Sequence, residues 1–254
     1  MYEDVEIETS YRYLKIVFSR LKEPIFILGG WAVFFTVNAD YKRKAKRDYI
    51  GSRDIDLGFE KPGTLKETAA VLEKELKFDF VSFRFYKNVH SETGKDLTEN
   101  ESKSLPQHMI FPMYVDLIMA HADKKMKTKL GFMPIDEPLL KKAFGSKKFR
   151  RTATEFGKRL LLPSPEILLA MKLNSVLNRD KLHKRLKDVC DIVALCLFSG
   201  IETDKIIKES RKFVSKKSFK KLKKAGFENE VSHCSNTLGL EPETVKSVLD
   251  KING

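Results

Sequence analysis

The sequence predicts an α/β (α+β) protein: a small mixed β-sheet with flanking helices, followed by a helical C-terminal domain. Three observations predict it. Short apolar runs with the two-residue alternation of strands occur before Pro163. After Pro163, apolar residues recur at helical spacing. The charge balance also shifts near this point: Lys141 to Lys224 holds 24 Lys+Arg against 8 Asp+Glu, while the rest of the chain is mildly acidic. These shifts place the boundary near 150–163 and divide the chain into residues 1–160 and 161–254. A chain of 254 residues is long enough for two such domains, each with its own core.

In chain order, residues 11–21 read as an amphipathic helix that Pro24 closes. Ile25-Phe26-Ile27-Leu28 suits a short buried strand, Gly29-Gly30 punctuates it, and Trp31 to Val37 starts a helix. The charged stretch Tyr41 to Tyr49 reads as a loop or a frayed helix end. Residues 54–59 alternate as a strand, with Asp54, Asp56 and Gly58 on one face and Ile55, Leu57 and Phe59 on the other. Lys61-Pro62-Gly63 is a turn, and Thr64 with Glu67 forms a capping-box pattern for a helix reaching Lys77. Val81 to Tyr86 is a strand, 88–106 a polar loop or hairpin tip, Ile110 to Ala120 a strand, and Lys158 to Leu162 a last short strand. Ser164, with Pro165 at the first helical position, opens the helical part. A second helix covers Leu182 to Phe198 and stops at Gly200, and others follow at 203–214, 216–225, 228–238 and 242–252.

Several function classes drop out. No apolar run approaches the roughly 18 residues of a membrane span, and the acidic N-terminus lacks the apolar core of a secretory signal. Cys190, Cys196 and Cys234 make no C-x-x-C pair and read as reduced thiols of a cytoplasmic protein. The five histidines show no metal-ligand spacing, and neither a Walker loop nor a nucleophile elbow is present. The net charge of +13, concentrated in the basic half, suits a polyanionic partner such as nucleic acid, although a Lys-rich solvated surface would look the same. Lys205 to Lys224 carries ten Lys+Arg among apolar residues at helical spacing, so its basic face is either solvated or a track for phosphates.

The candidate chemistry lies in three acids. Asp54 and Asp56 flank Ile55, so both carboxylates leave one face of a strand, with Cα atoms about 6.6 Å apart. Carboxylates that close repel unless a cation lies between them, and a hard cation such as Mg²⁺ suits them. Asp116, in Tyr114-Val115-Asp116-Leu117-Ile118, is a third acid framed by apolar residues, where an unpaired charge is costly. Taken singly, each acid also reads as a solvated or edge-strand charge.

The order of Ile27-Leu28-Gly29-Gly30-Trp31, Ser52-Arg53-Asp54-Ile55-Asp56-Leu57 and Val115-Asp116-Leu117 resembles the DNA polymerase β-type nucleotidyltransferase superfamily. The resemblance implies two Mg²⁺ ions held by Asp54, Asp56 and Asp116, which are then also the catalytic residues. It implies an NTP cradled by Gly29 and Gly30, with Ser52 and Arg53 beside it. Two departures stand out: Trp31 follows the glycines where that family often has Ser, and the spacing to Asp54 is lengthened by a basic insertion around Lys42 to Arg47. Ser164 to Leu173, followed by Arg185-Leu186-Lys187-Asp188-Val189-Cys190-Asp191-Ile192, resembles the AbiEii-like, abortive-infection toxin group of these enzymes. By that resemblance Lys172 contacts nucleotide phosphates and Asp188 lies near the active site; from spacing alone the two could equally form a structural interhelical ion pair.

The expected activity is therefore Mg²⁺-dependent transfer of an NMP group from an NTP to a hydroxyl. The acceptor expected is RNA, a tRNA 3′ end, in a toxin paired with an antitoxin protein. Transfer to a protein or small molecule, and a non-catalytic nucleic-acid-binding protein on the same scaffold, are the alternatives.

Overall fold

The computed structural model describes residues 2–22 and 24–254; Met1, part of the N-terminal reading, and Glu23 lie outside them. The described residues divide into two compact units. One comprises residues 2–31 and 51–163 and holds the sheet; the other comprises Ala32–Ile50 and Ser164–Gly254 and is helical.

In the sheet unit, α1 (Asp4–Arg20) starts earlier than its apolar periodicity suggests, because Glu3 and Glu6 close a capping box ahead of it. β1 (Ile25–Ile27) leads to α2 (Gly29–Ala45), which passes from this unit to the helical one after Trp31. The strand expected at 54–59 is β2 (Ile55–Phe59). α3 (Pro62–Ala70) begins at the proline with Lys61 at its cap, so Thr64 lies inside the helix and does not cap it. A π-helical turn, Val71–Glu75, extends α3.

The expected strand at 81–86 is half of a hairpin, β3 (Asp79–Val81) and β4 (Arg84–His90). Its two-residue loop places Ser82 at φ +62, the positive φ that tight hairpins require. The polar stretch after β4 holds α4 (Glu99–Ser104), capped by Thr98 and Glu101. β5 (Ile110–Met119), α5 (Lys124–Leu130), β6 (Ile135–Asp136) and α6 (Leu140–Gly145) follow. The last strand, β8 (Lys158–Pro163), is paired with an unforeseen β7 (Arg150–Glu155) through the two-residue loop Phe156-Gly157, both at positive φ.

Among the described residues the sheet runs β3-β4-β5-β2-β1-β8-β7, with β6 beside the end of β5. It is mixed: β2 is parallel to β5 and β1 to β8, while β1–β2, β3–β4, β4–β5 and β7–β8 are antiparallel. The central strands are buried on both faces, which explains their near-continuous apolar runs.

The helical unit contains the body of α2, which runs into the stretch expected as a loop or frayed helix end and stops at Ala45. Six more helices follow among the described residues: α7 (Pro165–Val176), α8 (Leu182–Phe198), α9 (Thr203–Arg211), α10 (Lys216–Ala225), α11 (Glu228–Leu238) and α12 (Pro242–Asn253). These match the helical spacing to within a few residues, because that part of the sequence alternates strongly between buried and exposed positions. α7 is buried nearly all round and packs on α8 and α9. Ser164 holds the cap position of α7, but its side chain makes no capping bond; Pro165 alone fixes the helix start.

Candidate active site

Sheet register brings the three acids together. β2 and β5 are parallel neighbours, and Asp56 lies opposite Asp116 on the facing strand. Opposed residues of adjacent strands point to the same face, about 4.8 Å apart at Cα. Asp54, two residues before Asp56, joins them from the chain entering β2. Three carboxylates from two distant parts of the chain thus converge on one sheet face, with Ile55, Leu57, Val115 and Leu117 buried at the alternate positions.

A fourth residue, not foreseen from the sequence, completes the cluster. Arg84 on β4 lies opposite Asp116, on the other side from Asp56. Its Nε donates to Asp116 Oδ1 at 2.6 Å and its Nη2 to Asp116 Oδ2 at 2.9 Å, a bidentate pair. Nη2 also reaches Asp54 Oδ2 at 3.3 Å, and the guanidinium lies 3.9 Å from the centre of the Tyr114 ring. Burial alone would lower the Arg84 pKa, but the Asp116 carboxylate, with Asp54 and Asp56 behind it, drives it upward instead. The available signal was a cation between Phe83 and Phe85 on an apolar strand, the same framing that singled out Asp116.

The glycine turn meets this cluster at Asp56. Gly29 has φ +59, and a Cβ placed on it would lie 1.8 Å from Asp56 Oδ2, so only glycine fits there. Leu28 N–H donates to the Asp56 carbonyl at 2.9 Å, locking the turn to β2. Gly30 is buried in the first turn of α2. Trp31, in the place where Ser was expected, has a structural task. It is 1% exposed, its Nε1–H donates to Ser10 Oγ at 3.0 Å, and it packs against Tyr11 and Gly51.

Ser52 Oγ accepts from Asp54 N–H at 3.4 Å, bracing the turn into β2. Arg53 pairs with Glu6 at 3.2 Å and stacks 4.8 Å from the Phe111 ring centre, lining a cleft with Glu3, Asp4, Glu92 and His108.

Lys172 and Asp188 meet each other in the helical unit. Lys172 Nζ on α7 lies 2.7 Å from both Asp188 Oδ1 and Asp191 Oδ2 on α8. Asp188 also accepts from Arg179 Nε at 2.6 Å and from Ser175 Oγ at 3.0 Å. Asp191 accepts from Lys187 Nζ and, at 2.7 Å, from Tyr49 Oη. Burial would raise the Asp188 carboxyl, but Lys172 and Arg179 hold it down at about 2. Burial would lower the Lys172 ammonium, but Asp188 and Asp191 raise it. This network fastens α7 to α8, whichever role Lys172 has toward a ligand.

Among the described residues no three His, Cys, Asp or Glu side chains stand in a metal-coordinating arrangement, and the carboxylate cluster is closed around Arg84. Asp54, Asp56, Asp116 and Arg84 nevertheless sum to a net charge of −2 on one sheet face. Their oxygen-only acceptors are the kind that hard divalent cations take. The donor atoms are of the type such cations take, while their present arrangement is set by Arg84.

No family model matches the sequence, and no curated protein matches it. Among solved structures the chain is similar to an antigenic nucleotidyltransferase-like protein from Paracoccidioides brasiliensis, at 15% identity and a TM-score of 0.36, over 76% of this chain and 75% of that one. No helix among the described residues is long and apolar enough to cross a membrane.

Proposed function

We propose that this protein is a Mg²⁺-dependent nucleotidyltransferase that moves an NMP group from an NTP to a hydroxyl, with RNA as the acceptor. One observation carries the reading: three aspartates converge on one sheet face against the positive-φ glycine that opens a 17-residue helix. A purely structural site has little reason to gather three acids and keep a glycine that no other residue could replace.

In this reading Asp54, Asp56 and Asp116 hold two Mg²⁺ ions, which when bound supply Lewis-acid polarisation and charge neutralisation at the phosphates. Gly29 lets the backbone approach the triphosphate, and the first N–H groups of α2 present the positive end of the helix dipole to it. The fork of Arg84 matches phosphate as well as carboxylate, so Arg84 is placed to exchange Asp116 for a nucleotide oxygen. The acceptor oxygen forms a bond to the α-phosphorus, the bond from that phosphorus to the β-bridging oxygen breaks, and pyrophosphate leaves. The acceptor proton departs by way of the Asp116 carboxylate. Contact of Lys172 with phosphate and a supporting place for Asp188 belong to the same proposal, as does restraint by an antitoxin protein; all three rest on the sequence resemblance.

The test is incubation with Mg²⁺, each labelled NTP in turn, and total RNA. Label should enter RNA, and Asp56→Ala should abolish transfer while retaining cooperative thermal unfolding. Transfer by Asp56→Ala would sink the site assignment, and label in protein or small molecules would reassign the acceptor. A second reading, a non-catalytic protein on the same scaffold, draws on Arg84, because a guanidinium already neutralises Asp116. No label in any acceptor, together with no Mn²⁺ binding by calorimetry, would favour it.

A further inference from the structure

Beyond the carboxylates, the same sheet face continues as an aromatic surface. Tyr86 on β4 and Tyr114 on β5 oppose each other in register, and their ring centres lie 6.2 Å apart at a tilt of 47°. Tyr114 stands two residues before Asp116, and Tyr86 two residues after Arg84, so all four side chains leave the sheet on one side. That side is incompletely covered along both strands. Tyr86, Asn88, Pro112 and Tyr114 are each half-buried, while Phe85, Met113 and Val115 at the alternate positions are buried on the other side.

The open face of an antiparallel pair ordinarily carries polar side chains. Here it offers two rings, and the guanidinium of Arg84 lies 3.9 Å from the centre of the Tyr114 ring. Aromatic rings and guanidinium planes are the surfaces on which the unpaired bases of single-stranded RNA stack. A cross-strand tyrosine pair also steadies a sheet. Leucine separates the two tasks, because it keeps apolar bulk on the strand and has no π-face.

Strand order decides which reactant this surface serves. The relevant strands run β4-β5-β2-β1. The tyrosines flank the acids on the side of β4 and β5. Gly29, which follows β1 and lies against Asp56, flanks them on the opposite side. In nucleotidyl transfer the attacking oxygen and the departing pyrophosphate lie roughly in line on opposite sides of the phosphorus. With the triphosphate at Gly29, the attacking hydroxyl approaches from the flank of Asp116 and the tyrosines. Tyr114 is about 6.6 Å from Asp116 along β5, close to the length of one extended nucleotide.

We propose that Tyr86 and Tyr114 stack the terminal base of a single-stranded RNA and so bring its 3′ hydroxyl to Asp116. The role as acceptor platform rests on the transferase reading; base stacking does not, and it is read without turnover.

The experiment uses the full chain with Mg²⁺ and three probes: an RNA carrying the fluorescent base 2-aminopurine at its 3′ end, the same RNA carrying it at its 5′ end, and 2-aminopurine riboside triphosphate. Stacking on a ring quenches this fluorophore. Wild type should quench the 3′-terminal base strongly and the 5′-terminal base less. Tyr86→Leu/Tyr114→Leu should lose the quenching and weaken RNA binding about tenfold, whereas Tyr86→Phe/Tyr114→Phe should keep both. Cooperative thermal unfolding checks that the leucine variant is folded, and Tyr86→Leu alone carries the test if it is not. The proposal is overturned if wild type leaves the 3′-terminal base unquenched, if the folded leucine variant quenches it like wild type, or if the phenylalanine variant loses as much as the leucine one. It is overturned equally if the tyrosines quench the triphosphate and not the RNA. Quenching of the RNA by wild type that transfers no label would uphold the stacking surface and remove only the catalytic reading.

Discussion

Gly29 and Arg84 are the residues through which the acids are held. Gly29→Ala puts a side chain at positive φ and its Cβ into the Asp56 carboxylate. A cost of about 1–3 kcal/mol in urea unfolding is expected, together with loss of transfer greater than the loss of stability explains. Arg84→Met leaves three carboxylates facing one another. In metal-free buffer it should destabilise the protein by about 2–4 kcal/mol, discounted from a fully buried pair because Arg84 is partly exposed. Millimolar Mg²⁺ should restore much of the lost unfolding temperature; equal stability with and without the cation would show that Arg84 does not share its place with a metal. The three acids were legible in the sequence because an acid among apolar residues is rare. Arg84 was not singled out because partnership with Asp116 is a matter of strand register, and no local pattern reports which residue of β4 faces which of β5.

At the scale of elements, the α7–α8 pair depends on buried charge. Asp188, held at about 2 against an ordinary value near 3.8, stabilises the folded chain by roughly 2 kcal/mol at neutral pH. A depressed carboxyl makes its contribution above the unfolded value and loses it as pH falls toward the folded one. The urea midpoint of wild type should therefore fall between pH 4 and 2 more steeply than that of Asp188→Asn. Lys172 has the opposite sign: its raised value stabilises the protein below its ordinary range near 10.5 and loses that contribution only at higher pH. Lys172→Met leaves Asp188 and Asp191 without their shared cation and should cost about 3–5 kcal/mol. A rise in the NTP KM of the folded variant would add a nucleotide contact to this structural role; an unchanged KM would confine Lys172 to holding the helices. The helices themselves were readable from apolar spacing. β7 was not, because Arg150-Arg151-Thr152-Ala153-Thr154-Glu155 is polar at most positions, as an edge strand is.

For the whole molecule, the division between sheet unit and helical unit does not follow the chain as a single cut. Residues 32–50 belong with 164–254, because α2 leaves the sheet unit after Trp31 and the chain returns to it at Gly51. The excess positive charge is likewise split. Lys141 to Arg159 belong to the sheet unit and Lys205 to Lys224 to the helical one. A nucleic-acid ligand tests both at once: binding should weaken steeply with salt, and Asp56→Ala should bind RNA like wild type while failing to transfer. Loss of binding in Asp56→Ala would mean that the acids and the basic surfaces are not separate tasks.

The sequence by itself determined the class of fold, the helices after Pro163, and the three acids with their glycine turn, because periodicity, proline and glycine chemistry and apolar framing act over a few residues. Tertiary structure alone decided that Asp56 opposes Asp116, that Arg84 joins them, and that Trp31 is a core anchor. Those outcomes depend on strand order and register, which are set by how the whole sheet buries its apolar faces and leave no trace within any one segment.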